Sequence, residues 1–218
     1  MKNTIKTIEE NKIIVIVRGV EREKLVSLCE AMYNGGIKAV ECTYDATGKI
    51  SDEEISENIR LLVDNFGDKM IIGAGTVLTK KQVALTKAAG GKFIISPDTN
   101  PKIIKYTKRQ GLVSIPGALT PSEIALSART GADFVKVFPV NLFGPDYIKT
   151  IKAPLSHIKL LAVNGITAEN MNEYLSAGAV GVGIGGGIVD KKLIAENDFE
   201  GITIAAQKYC EEAKNADY

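Results

Sequence analysis

Two ionisable residues stand within otherwise apolar segments of the sequence. Lys136 lies in FVKVFP, residues 134–139, and Glu41 lies in AVECT, residues 39–43. Burial disfavours the charged form of both groups, so it lowers the pKa of a lysine and raises the pKa of a carboxyl group. An uncharged amine is a nucleophile that condenses with a ketone to a Schiff base, whose iminium stabilises a carbanion on the neighbouring carbon. A buried carboxyl group is a proton carrier suited to such a reaction.

Both residues could instead have a purely structural role. A lysine at the end of a strand often extends to solvent or pairs with an acid. A structural Lys136–Glu41 ion pair is therefore an alternative to catalysis. Buried ion pairs are costly to desolvate, so this alternative must explain why apolar residues do not occupy the two positions.

Composition narrows the classes of function. The chain has 218 residues and a formal net charge of +1, which gives no reason to expect nucleic acid or an acidic membrane as a partner. Its three cysteines are scattered and its one histidine has no companion ligands, so neither a disulfide framework nor a metal site is expected. The start, MKNTIKTIEENK, lacks the apolar run of a signal peptide, and no segment is long enough to cross a bilayer. A cytoplasmic location is expected.

Short apolar segments alternate with amphipathic ones along the whole chain. Near-continuous runs of β-branched residues are typical of parallel strands covered on both faces. Such an alternation predicts a single (β/α)8 barrel, a TIM barrel, over residues 1–218, with a short N-terminal helix. A doubly wound open sheet is the alternative, although it usually has fewer strands in this length. The eight predicted strands are residues 13–17, 37–43, 69–74, 92–96, 112–115, 133–138, 158–163 and 179–184.

Four hydroxyl residues mark the predicted starts of helices. Ser51, Thr79, Thr120 and Thr167 each precede an amphipathic segment, where a side-chain oxygen can accept a hydrogen bond from the first turn. Thr120 is followed by proline and then, three residues after the threonine, by Glu123, which completes a capping box. These signals place helices between the strands, as the barrel requires.

Chemistry in such barrels sits at the carboxyl ends of the strands. Arg18 follows the first strand and could bind a carboxylate through two N–H groups, or form a surface ion pair with a nearby glutamate. The Thr76 hydroxyl, after the third strand, could bind the same carboxylate. Glycines after the last two strands, in residues 164–165 and 183–187, lie where many barrels bind phosphate through backbone N–H groups. Ordinary turns are the alternative explanation for these glycines.

The order of these short motifs resembles one known family. RG follows the first strand, GAGTVL the third, ISP the fourth and PG the fifth, while VKVFP forms the sixth. The chain is similar to the class I 2-keto-3-deoxy-6-phosphogluconate aldolases, a family that includes the phosphogalactonate and 4-hydroxy-2-oxoglutarate aldolases. The similarity extends from about Ile13 to Ile188. Arg18-Gly19 and FGPDYIK, residues 143–149, resemble the galactonate branch most.

The resemblance implies a homotrimeric, cofactor-free lyase. Its substrate would be a small 2-keto acid, namely a 2-keto-3-deoxy sugar acid, as the 6-phosphate or without it, or 4-hydroxy-2-oxoglutarate. The products would be pyruvate and an aldehyde. Lys136 would form the Schiff base with pyruvate, and Glu41 would move protons through water. The implied substrate-binding residues are Arg18 and Thr76 for the carboxylate, Pro97 and Phe138 as pocket walls, and Asn164, Gly165, Gly185 and Gly186 at the far end.

Three positions depart from the family pattern. Gluconate-type members carry an arginine in the loop after the second strand, and the matching residue here is Asp45. Asn164 replaces the first glycine after the seventh strand, and Gly186 replaces a phosphate-binding serine after the eighth. A substrate without phosphate is therefore an open alternative. So are a phosphate-barrel isomerase or synthase with Glu41 as base and Lys136 as charge clamp, and a non-catalytic sugar-acid-binding protein.

Overall fold

The computed structural model describes residues 1–216. Nine parallel strands form one sheet in the order β5-β4-β3-β2-β1-β9-β8-β7-β6, and helices connect them on the outside. The strands are β1 Ile13–Val17, β2 Ala39–Thr43, β3 Ile71–Gly75, β4 Phe93–Ile95, β5 Val113–Ile115, β6 Gly117–Ala118, β7 Val135–Val137, β8 Leu160–Val163 and β9 Ala179–Ile184. The helices are α1 Lys2–Asn11, α2 Arg22–Asn34, α3 Asp52–Phe66, α4 Lys80–Ala88, α5 Pro101–Arg109, α6 Pro121–Thr130, α7 Pro145–Lys152, α8 Met171–Ser176, α9 Lys191–Ala195 and α10 Phe199–Asn215.

The sheet closes on itself through the segment that contains β5 and β6. Only Pro116 separates these two short strands, because a proline has no N–H group to donate to a neighbouring strand. β5 pairs with β4 on one side, while the Lys136 N–H of β7 donates to the Pro116 carbonyl over 2.9 Å on the other. β5 and β6 thus act as one barrel strand, and the predicted (β/α)8 barrel is confirmed. Most strands are shorter than predicted, whereas β1 and β9 have the predicted bounds.

One apolar cluster fills the inside of the barrel. Ile14, Ala39, Phe93 and Phe134 belong to it, although they come from separate strands around the sheet. Ile8 of α1 is fully buried in the same cluster. The predicted short N-terminal helix is therefore present, and it closes the amino-terminal end of the barrel. The carboxyl ends of the strands form the opposite, open end.

A second and larger cluster lies between the strands and the helices. Val15, Val40, Val135 and Val137 belong to it, and each alternates along its strand with residues of the inner cluster or with charged residues. Side chains alternate between the two faces of a strand, so cluster membership tells which face each residue occupies. This assignment fixes the direction of every strand residue in the site described below.

The capping predictions hold at three helices and fail at one. Ser51, Thr79 and Thr120 each accept a hydrogen bond from the first turn of their helix, and Glu123 completes the capping box of α6. Thr167 is not a helix cap. The helix there begins later, at Met171, because Asn170 accepts the Thr167 N–H over 2.9 Å and donates to the Gly165 carbonyl.

Close packing of α2 against α10 depends on one glycine. Gly35 ends α2 with a φ of −77°, which any residue adopts. A Cβ atom at Gly35 would lie 2.4 Å from the Ala206 Cβ and 2.7 Å from the Thr203 carbonyl oxygen. The two helices therefore contact each other at a distance that excludes even a methyl group.

We predict that Gly35→Ala lowers the free energy of unfolding by about 1–3 kcal/mol, since the added methyl group forces the helices apart. Urea denaturation followed by circular dichroism measures the change. Gly185→Ala is the matched control, because a Cβ there meets nothing within 4 Å. Equal stability of the Gly35 variant and the wild type would contradict the packing argument.

Candidate active site

Lys136 points into the barrel. Its neighbours Val135 and Val137 belong to the outer cluster, and Phe134 belongs to the inner one. Because side chains alternate along a strand, the lysine shares the inner face with Phe134. Only 9% of its surface is exposed, and its Nζ lies 4.7 Å from the centroid of the Phe138 ring. The amine is therefore shielded from water but lies near the open end.

Glu41 occupies the same interior from the other side of the sheet. It is 2% exposed and lies two residues after Ala39 of the inner cluster, so the two side chains share the inner face of β2. The adjacent strand makes room for its carboxyl group, because a Cβ at Gly75 would lie 1.5 Å from Glu41 Oε1. The missing side chain of Gly75 therefore provides the space in which the carboxyl group sits.

The two groups perturb each other without direct contact. Burial lowers the pKa of Lys136, Glu41 opposes this shift, and the Arg18 guanidinium adds to it. Burial likewise raises the pKa of Glu41, against the charges of Lys136 and Arg18. In the chain as described, no ion pair joins the two residues, so the structural ion pair is not formed. The site can hold an uncharged amine within reach of a proton carrier.

Arg18 and Thr76 meet at the rim. An Arg18 N–H group donates to the Thr76 Oγ1 over 3.0 Å. Thr76 has a φ of 56°, and such left-handed backbone is unusual and strained for a β-branched residue. The arginine is exposed and forms no ion pair within residues 1–216, which removes the surface alternative considered for it. Hydroxyl and guanidinium are thus placed side by side above Lys136 and Glu41.

The other predicted site residues surround the same opening. Pro97 follows β4 and lies so close to the next strand that a Cβ at Gly117 would be 2.4 Å from its carbonyl oxygen. Phe138 follows β7 and its ring is partly exposed. A groove of about 800 Å³ runs outward from Arg18 past the open end of β9. Gly185 and Gly186 line this groove, and a Cβ on either would meet nothing within 4 Å.

The end of β8 completes the rim. Asn164 and Gly165 are exposed there with φ values of 88° and 73°. Asn164 donates to Asn141 Oδ1 over 2.6 Å, and Asn141 is a residue that the sequence did not single out. Asn141 lies in a short 3-10 turn, Val140–Leu142, just after β7. The sequence signal for Asn141 is its position shortly after β7, the strand that carries Lys136.

Asp45 does not take part in the site. Its carboxylate accepts hydrogen bonds from the backbone N–H groups of Thr47, Lys49 and Ile50 and from the Thr47 hydroxyl. These bonds lower its pKa to about 2. Asp45 therefore organises its own loop, and it supplies no cation where gluconate-type members carry arginine. Arg18 is the cation at this rim.

Residues 1–216 show neither a cluster of metal ligands nor a membrane-spanning helix. They contain no group of three or more histidine, cysteine, aspartate or glutamate side chains arranged to hold a metal ion. Among the same residues, no helix combines the length and the apolar character that crossing a membrane would need.

Comparison with known proteins places the chain in a family. The model for "KDPG and KHG aldolase" matches residues 4–205. The chain is 34% identical over 174 residues to the 2-dehydro-3-deoxy-6-phosphogalactonate aldolase of Escherichia coli (strain K12), covering 79% of this chain and 82% of that protein.

Solved structures agree with the sequence comparison. A native KDPGal structure superposes with a TM-score of 0.84 at 31% identity and covers 94% of this chain and 95% of its own. The KDPG aldolase of Legionella pneumophila, with pyruvate captured as a covalent carbinolamine, has a TM-score of 0.83 at 27% identity and covers 93% of this chain and 96% of its own. The chain therefore belongs to the KDPG and KHG aldolase family, and the protein is a class I aldolase, an enzyme that cleaves carbon–carbon bonds.

Proposed function

We propose that Lys136 is the Schiff-base lysine and that Glu41 is its proton carrier. The observation that carries this proposal is the burial of both groups on the inner face of one barrel without an ion pair between them. Desolvation keeps the amine nucleophilic and the carboxyl group able to hold a proton. An isomerase with Lys136 as charge clamp is disfavoured, because burial makes this lysine a poor permanent cation.

The reaction follows from these two groups. The Lys136 amine adds to the C2 carbonyl of a 2-keto-4-hydroxy acid, and Glu41 supplies the proton with which the carbinolamine oxygen leaves as water. Glu41 then accepts the C4 hydroxyl proton, the C3–C4 bond breaks, and the aldehyde leaves. The electron pair of that bond forms an enamine, which is protonated at C3. Hydrolysis of the iminium releases pyruvate and restores the amine. Water carries protons between the groups, since they are not in contact.

Arg18 and Thr76 would bind the substrate carboxylate. The guanidinium and the hydroxyl stand together at the rim and offer several N–H and O–H donors to one carboxylate. Pro97 and Phe138 would form walls of the pocket. This arrangement fixes the keto acid with its carbonyl facing Lys136.

The substrate that fits best is a 2-keto-3-deoxy sugar acid carrying a 6-phosphate. The groove beyond Arg18 accommodates a chain longer than that of 4-hydroxy-2-oxoglutarate. The N–H groups of Gly165 and Gly186 have no acceptor in the described part of the chain, so they are donors for an anion. Along the groove, two acidic residues, Glu21 and Asp190, face four basic ones, namely Arg18, Lys24, Lys191 and Lys192. A relative that shares 34% identity is named for such a phosphorylated substrate.

A homotrimer is also proposed. Leu142 and Phe143 follow β7 and are 70% and 50% exposed, and Phe143 stacks against Tyr147 at a centroid distance of 4.9 Å. Apolar side chains exposed together in this way commonly mark a protein interface. We refer to Leu142 and Phe143 as the apolar patch.

A cytoplasmic location stays a prediction of the sequence. Cys29, Cys42 and Cys210 are all free thiols. Unpaired thiols fit a reducing compartment.

We predict that pyruvate and borohydride add one reduced pyruvyl group to the protein, at Lys136. Intact-mass measurement and peptide mapping would locate it. Lys136→Arg should abolish both the labelling and the release of pyruvate from 2-dehydro-3-deoxy-6-phosphogalactonate. Lys152→Arg is the matched control, because Lys152 also has a pKa lowered by burial but lies outside the barrel interior. An unlabelled wild type at saturating pyruvate would overturn the proposed function.

The charges around Lys136 predict opposite pH shifts in two variants. Arg18→Met removes a positive charge and should raise the pKa of Lys136, whereas Glu41→Gln removes a negative charge and should lower it. The rate of acetylation of Lys136 by acetic anhydride, measured against pH by mass spectrometry, follows the uncharged amine. The midpoint should move to higher pH in the first variant and to lower pH in the second. Movement in the same direction in both would contradict the proposed electrostatics.

We predict that Leu142→Lys combined with Phe143→Lys converts a trimer into monomers, because burying two lysines at an interface is costly. Sedimentation velocity measures the change. Ile204→Lys is the control, since Ile204 is 59% exposed but belongs to α10 rather than to the apolar patch. Dissociation by the Ile204 change alone would show that the interface lies elsewhere.

A further inference from the structure

Two asparagines from neighbouring strand ends form a hydrogen-bonded pair at the barrel opening. Asn141 lies in the 3-10 turn after β7, and Asn164 follows the last residue of β8. The Asn164 amide donates to Asn141 Oδ1 over 2.6 Å, and both side chains are exposed. We refer to them as the asparagine pair.

The backbone fixes the position of the asparagine pair. Gly165 has a φ of 73°, and a Cβ there would lie 2.4 Å from the Cβ of Asn141. Asn141 therefore rests directly on the Gly165 backbone. From the other side, Asn170 donates to the Gly165 carbonyl over 3.0 Å and accepts the Thr167 N–H. The loop has its own supports, so the asparagine pair is not needed to close it.

The pair leaves two polar groups available. Asn141 Nδ2 and Asn164 Oδ1 have no partner within the described residues. One is a donor and the other an acceptor, and they belong to two amides held together by one bond. A hydroxyl group, which both donates and accepts, matches this arrangement. A phosphate matches it less well, because the Asn164 oxygen would face a negative charge.

The position along the substrate follows from the strand register. Lys136 of β7 pairs with Leu161 of β8, three residues before Asn164, so the backbone at Asn164 lies further toward the opening than the backbone at Lys136. If Lys136 holds C2 and Glu41 serves the C4 hydroxyl, the next hydroxyl toward the opening is on C5. In the released aldehyde this is the hydroxyl on the carbon adjacent to the carbonyl carbon.

We propose that Asn141, oriented by Asn164, is a specificity-determining residue that binds this C5 hydroxyl. The inference rests on the proposed aldolase function and adds to it the side chain that contacts this hydroxyl. The contact is a neutral one made by side-chain amides, whereas the N–H groups of Gly165 and Gly186 are the donors for a terminal anion.

The test is the reverse reaction, in which pyruvate is joined to glyceraldehyde or to 3-hydroxypropanal, two aldehydes that differ only in the 2-hydroxyl group. Asn141→Ala should lower kcat/KM for glyceraldehyde by roughly 3- to 10-fold, the loss expected for one neutral hydrogen bond. It should leave kcat/KM for 3-hydroxypropanal within about twofold of the wild-type value. Asn164→Gly should give a smaller loss of the same kind, because it frees Asn141 to turn away.

Asn170→Ala is the matched control, since Asn170 supports the same loop through Thr167 and Gly165 and not through the asparagine pair. It should change both aldehydes to the same extent. An equal loss for both aldehydes in Asn141→Ala, or no loss for either, would overturn the inference. Borohydride trapping of pyruvate on the wild type is measured separately: its failure would overturn the proposed function, whereas normal trapping with an unchanged aldehyde preference would overturn only the role of Asn141.

Discussion

The proposed chemistry depends on burying the Lys136 amine without placing a counterion in direct contact with it. Desolvating a charge costs several kcal/mol, and a tight ion pair would recover part of that cost by locking Lys136 as a cation. Here Glu41 acts from a distance, and the Arg18 charge opposes it. Burial, and to a smaller extent the Arg18 charge, therefore lowers the pKa of Lys136 and favours the uncharged amine. Under the proposed function, this balance of burial and charge is what makes Lys136 a nucleophile.

The barrel interior creates these conditions by being filled at one end and open at the other. Ile8 of α1 and the rings of Phe93 and Phe134 occupy the lower part. The upper part is kept clear by glycine, most directly at Gly75, whose missing side chain is replaced by the Glu41 carboxyl group. Large side chains below and small ones above leave Lys136 over an apolar floor, near the open end of the barrel.

The sequence predicted the parts of this structure that depend on residue type and period. Alternation of apolar segments gave the barrel, and charge within such segments pointed to Lys136 and Glu41. The sequence could not predict the features that depend on contacts between segments far apart in the chain. The helix expected after Thr167 begins later because Asn170 bonds to Gly165, and no local pattern announces that choice. The sequence did not single out Asn141 for the same reason, since its hydrogen bond is to Asn164, which follows the next strand.

Asp45 stands in the loop after β2, at the position where gluconate-type members carry an arginine. Asp45 uses its carboxylate on three backbone N–H groups of its own loop, and the guanidinium beside Thr76 at the rim belongs to Arg18, after β1. Under the proposed function, that one guanidinium binds the substrate carboxylate and also lowers the pKa of Lys136. A bound carboxylate would offset the Arg18 charge and so weaken its lowering effect on the pKa of Lys136. Substrate binding and amine activation are therefore coupled through a single residue on the rim, while Glu41 and the apolar floor stay fixed beneath it.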